Sequence, residues 1–178
     1  MTPSERLIEK GRVTILIPVH FTGRGATKQR VHKIIQRDNS LQTGDLNTSI
    51  RVVYTKTPID GVMNTLDISP RQDAKMCGAA GECVNALGWN KGHINSRNSG
   101  ENDAGPNEGL HFAGDTDRYE EQVNAGGNRL TLPSPGYDET NIMSSRAGTT
   151  LKPEQLDEVN KNDTTKHCRS VAGVLICH

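Results

Sequence analysis

Residues 106–119 read Pro106-Asn107-Glu108-Gly109-Leu110-His111-Phe112-Ala113-Gly114-Asp115-Thr116-Asp117-Arg118-Tyr119. Glu108, His111, Gly114 and Asp117 recur at every third position, so a helix would keep the first two on neighbouring parts of one face. Upstream, Val13–Ile17 is apolar on both faces, as in a central strand, and Pro18 is expected to end its regular pairing. Thr22-Gly23-Arg24-Gly25 makes a turn without the Lys-Ser/Thr ending and spacing of a phosphate loop. From Ala26 to Asp38, Val31, Ile34 and Ile35 fall at helical spacing among Lys28, Arg30, Lys33 and Arg37, the pattern of an amphipathic helix. Ile50–Thr55 reads as a second strand and Met63–Ile68 as a third. Strand, helix, strand in that order indicates an α/β (α+β) fold, a mixed sheet with the N-terminal helix packed on one face.

Downstream the signals weaken. The stretch 78–134 is rich in Gly and Asn, with His93–Ser96 as a short edge strand and 99–103 as an open loop, and a loop-rich half of a compact domain is more often functional than idle. Lys152–Val159, with Pro153 in the first turn, reads as a helix and Val171–Cys177 as a last strand. No internal repeat is visible, and 178 residues suit a single domain spanning 1–178.

Composition narrows the partners. Lys plus Arg and Asp plus Glu are both 21, so there is no broad basic field for nucleic acid or an anionic membrane. Aromatics at 3% provide no stacking platform for single strands. No apolar run is long enough to span a membrane, and Met1–Lys10 carries charges where a signal peptide has an apolar stretch. Four cysteines fall in two local pairs, Cys77/Cys83 and Cys168/Cys177, without a Cys-x-x-Cys motif. They are disulfide candidates with local pairing the simplest of three connectivities, suited to the periplasm or the extracellular space; reduced thiols are the alternative.

The segment at 107–117 resembles the metzincin-type zinc metallopeptidases, whose motif His-Glu-x-x-His-x-x-Gly-x-x-His/Asp it matches at every fixed position except the first, Asn107. The resemblance implies that positions 107, 111 and 117 hold zinc, leaving its fourth position open for water. Glu108 is then the catalytic residue that takes that water's proton and passes it to the leaving amine, and Gly114 turns the chain back by taking a left-handed conformation. Thr140-Asn141-Ile142-Met143-Ser144 resembles the methionine turn beneath the metal, and 151–159 the closing helix. The upstream order of elements agrees with the family's architecture, in which an edge strand lines the cleft and pairs with extended substrate. In detail, Asp117, the run Asp117-Arg118-Tyr119 and the Asn-Ile-Met turn resemble metallopeptidase domains at the C-termini of bacterial polymorphic and Rhs-type toxins. That likeness implies a secreted or delivered toxin, a peptide or protein substrate and a cognate immunity protein. Tyr119 is a candidate for stabilising the oxyanion, or packs at the helix exit.

Asn107 offers an amide where zinc favours an imidazole, so zinc binding in this chain is expected to be weakened or lost. Two origins fit: replacement of a His to silence a toxic protease, or a natural pseudoenzyme that binds extended peptides without cleaving them. Retention of Glu108, His111, Gly114, Asp117 and Met143 favours the first. Of the other histidines, His20, His32 and His93 read as exposed residues, and His167 and His178 flank the last cysteine pair at spacings that match no zinc finger.

Overall fold

The computed structural model describes residues 5–9, 12–44, 48–54, 64–70, 83–84, 91–97, 103–152, 154–155, 168–171 and 174–177. Its strands are β1 (Glu5–Glu9), β2 (Arg12–Thr22), β3 (Thr48–Tyr54), β4 (Asn64–Ser69), β5 (Cys83–Val84), β6 (Lys91–Asn95), β7 (Tyr119–Val123), β8 (Arg129–Pro133), β9 (Cys168–Val171) and β10 (Val174–Cys177). The helices are α1 (Lys28–Asn39) and α2 (Gly105–Phe112). Mixed parallel and antiparallel strands with helices make the fold α+β. Among the described residues no helix is long and apolar enough to cross a membrane.

Among the described residues the main sheet has six strands. β2 pairs in parallel with β3 and with β4, β4 pairs in parallel with β6, and β1 and β5 are antiparallel to their neighbours. Alternation sends Ile15, Ile17, Val19 and Phe21 of β2, Leu66 and Ile68 of β4, and Ile94 of β6 into one core with Val31 and Ile34 of α1 and Leu110 and Phe112 of α2. α1 starts at Thr27, whose hydroxyl caps the amide of Arg30 at 3.3 Å.

Three sequence expectations change. β2 runs through Pro18 because β1 pairs with it only up to Leu16 and β4 begins at Val19. The missing N–H therefore falls in a gap along that edge, where the Pro18 carbonyl accepts from Asn64 Nδ2 at 2.9 Å. The His93 strand is interior rather than an edge; β5 forms that edge, and His93 is buried with Nδ1 3.2 Å from the Asp67 carboxylate. The last strand is an antiparallel pair, β9 and β10, whose register sets Cys168 opposite Cys177.

The sequence reading of 78–134 as loop also missed the β7–β8 hairpin. Its turn is built by Asn124, whose side-chain oxygen accepts from the amides of Gly126 at 3.0 Å and Asn128 at 2.9 Å. Glu120 and Glu121 on it are exposed, as is His32 on α1, whereas His20 is half-buried. Thr55, Met63, Cys77, Pro153, the remainder of the expected 152–159 helix beyond Glu154 and Gln155, His167 and His178 lie outside the described residues.

Candidate metal centre

α2 is buried along almost its whole length, which its two glycines permit. A Cβ on Gly105 would stand 2.7 Å from Ile34 Cδ1, and one on Gly109 would face the Asp38 carboxylate at 3.7 Å, so the glycine edge lets α2 approach α1. Arg30 of α1 fixes the start of α2. Its guanidinium holds Asp103 through Nε at 2.8 Å and Nη2 at 3.0 Å and donates to the Ser96 carbonyl at 3.0 Å, while Asp103 Oδ1 accepts from the Gly105 amide at 3.0 Å. Pro106 occupies the first turn, where a missing N–H costs no helical bond.

The helix ends in a Schellman closure. The Gly114 amide donates to the His111 carbonyl at 3.0 Å and the Asp115 amide to the Leu110 carbonyl at 3.3 Å, with Gly114 at φ 93°. That left-handed residue reverses the chain and brings Asp117 back over the helix. His111 Nε2 then lies 3.4 Å from Asp117 Oδ1, and Asn107 Nδ2 donates to the same oxygen at 3.3 Å. The turn at 141–144 closes the site from the other side: Asn107 Nδ2 also approaches the Ile142 carbonyl at 3.3 Å and Met143 Sδ at 3.6 Å. The Arg118 amide donates to the Met143 carbonyl at 2.9 Å, fastening the two segments together. Positions 107, 111, 117 and 143 thus converge, with Glu108 buried beside them on α2.

Zinc with nitrogen and oxygen ligands has bonds of about 2.0–2.2 Å, so two ligands on a tetrahedron stand roughly 3.3–3.6 Å apart. The His111 Nε2 to Asp117 Oδ1 separation of 3.4 Å falls in that range. Asn107 does not fit as the third donor, because its amide nitrogen, which carries no free lone pair for a metal, is the atom turned toward the site, facing three acceptors. Among the described residues no group of three or more His, Cys, Asp and Glu side chains is gathered as a metal-binding set.

The surroundings of His111 favour its protonated form. Burial by itself lowers the His111 pKa, but the hydrogen bond to Asp117, the charges of Glu108 and Asp117 and the Asp115 carbonyl outweigh it and raise the value to about 9. Burial together with the Asp117 and Glu108 charges pushes the Tyr119 phenol well above its ordinary range, which keeps it a neutral hydrogen-bond donor.

Asp115 and Gln155 are also buried here and had no motif to announce them, whereas Asn141, equally buried, is the first residue of the Asn-Ile-Met turn. Of the cysteine candidates, Cys83 is paired in register with His93. No family model, curated protein or solved structure matches the chain.

Proposed function

We propose that this chain has the scaffold of a zinc-dependent endopeptidase whose first ligand position is occupied by Asn107, so that the chain as it stands is inactive or impaired. The observation that carries this reading is that His111 and Asn107 of α2 meet at one Asp117 oxygen of the reversed loop, with Met143, from a turn 36 residues beyond position 107, against the Asn107 amide. Glu108, on the same buried helix turn, is the group to which this reading assigns the proton of a hydrolytic water. Zinc, when bound, would supply the activation of that water and the polarisation of the peptide carbonyl. The antiparallel edge strand β5 lies against α2, which supports an extended peptide as the substrate class, added as a further strand. Bacterial toxin context, an immunity partner and an exported destination belong to the same proposal and rest on the motif alone.

The test is Asn107→His. It is expected to take up one zinc per chain and to cleave unfolded casein, and Glu108→Ala added to it is expected to keep the metal and lose cleavage. Failure of Asn107→His to bind zinc while remaining folded overturns the reading. A second reading, a peptide-binding domain without catalysis, is favoured by the way the Asn107 amide satisfies the site without a cation. Peptide binding by the unaltered chain with no cleavage by Asn107→His would select it.

A further inference from the structure

Behind the candidate centre lies a buried amide network that the metal reading does not use. Asn141, Gln155 and Asp115 are all 0% exposed and come from three segments. Gln155 Oε1 accepts from Asn141 Nδ2 and from the Lys152 amide at 3.0 Å, and its Nε2 donates to Asp115 Oδ1 at 3.4 Å. At one end of the network, Asn141 Oδ1 accepts from the Met143 amide at 2.9 Å and so shapes the turn beneath the centre. At the other, the Asp115 carbonyl lies 2.8 Å from His111 Nδ1.

We propose that Gln155 is a positioning residue for His111, acting through Asp115. It touches no reacting atom and holds the residue whose carbonyl takes the Nδ1 proton, which turns Nε2 toward Asp117 and position 107. The role as a ligand-orienting partner rests on the metallopeptidase reading; the control of the His111 ring does not. Only a carboxamide meets both demands at position 155, an acceptor facing Asn141 and Lys152 and a donor facing Asp115. A glutamate of the same shape would lose the donor and set a second carboxylate against Asp115. Outer partners of metal-bound histidines of this kind typically contribute about 10- to 100-fold to metal affinity.

The experiment has two arms. In the unaltered, metal-free chain, the His111 Nδ1–H proton, assigned by its loss in His111→Gln, is expected to give an NMR signal protected from solvent exchange. Gln155→Glu and Gln155→Met should speed that exchange at least about tenfold, whereas Ile15→Val, a core change in β2 that lowers stability without touching the network, should leave it alone. In the Asn107→His background, Gln155→Glu should weaken zinc binding by about 10- to 100-fold and Ile15→Val should not. Undiminished protection in both Gln155 variants overturns the proposal. An unprotected Nδ1–H in the unaltered chain also overturns it. If Asn107→His takes up no zinc while the exchange results hold, the metallopeptidase reading falls and the positioning role stands.

Discussion

Raising the pH should unlock the candidate centre from within. His111 has an ordinary pKa of 6.5 and one of about 9 in the fold, with Asp117 the largest favourable contribution. A group whose folded pKa is raised contributes stability that is fully present below the unfolded value and is lost as pH climbs through the folded one. The window is therefore about pH 6.5 to 9, and at about 1.4 kcal/mol per pH unit the loss across it is on the order of 3 kcal/mol. Equilibrium unfolding in urea at fixed ionic strength, stepped across that window, measures it directly. The parent should lose most of that stability, His111→Gln should give a nearly flat profile, and Asp117→Asn should remove the larger part of the slope. Equal slopes in the parent and His111→Gln would refute the reasoning, because the proton would then be held elsewhere.

Other expectations can be checked on the same unfolding curves. Arg30→Met leaves the Asp103 carboxylate buried without its bidentate partner and frees the start of α2, so a loss of about 3–5 kcal/mol is expected. Gly114→Ala places a Cβ on a residue at φ 93° and should cost about 1–2 kcal/mol; in the Asn107→His background it should also weaken zinc binding, read with a competing chelator. Asp38 is buried beside Gly109, and burial raises its carboxyl well above the ordinary range, so the parent loses stability as pH rises through that range. Asp38→Asn removes that loss and should gain about 1 kcal/mol or more near pH 7 with no gain near pH 3.

The parts of this fold that were legible in sequence are those set by local period. Val31 and Ile34 marked α1, and the run Val13–Ile17, apolar but for Thr14, marked β2, because a strand buried between neighbours needs no polar face. What was illegible depended on partners distant in sequence. Pro18 stops a strand only where its N–H is needed, and the gap between β1 and β4 cannot be read from residues 13–18. His93 looks exposed by composition because its carboxylate partner, Asp67, is 26 residues away. Position 107 was legible as a departure from a motif, but its three acceptors come from Asp117, Ile142 and Met143. Gln155 was legible only as part of a helix start, where its oxygen accepts from the Lys152 amide; its bonds to Asn141 and Asp115 span 14 and 40 residues and follow from the fold.

Those contacts bear on what Asn107 does in the fold. The site sets a carboxylate, an imidazole and a carbonyl close together, and burying them without a donor or positive partner is costly. In this chain the cost is offset twice, by a proton on His111 and by the donor face of the Asn107 amide, both directed at Asp117 Oδ1. An alanine at 107 would provide no donor, and the Asp117 oxygen and the Ile142 carbonyl would both lose one. The same amide reaches from α2 to Asp117 and to the turn at Ile142, so one side chain ties together the three segments that build the site.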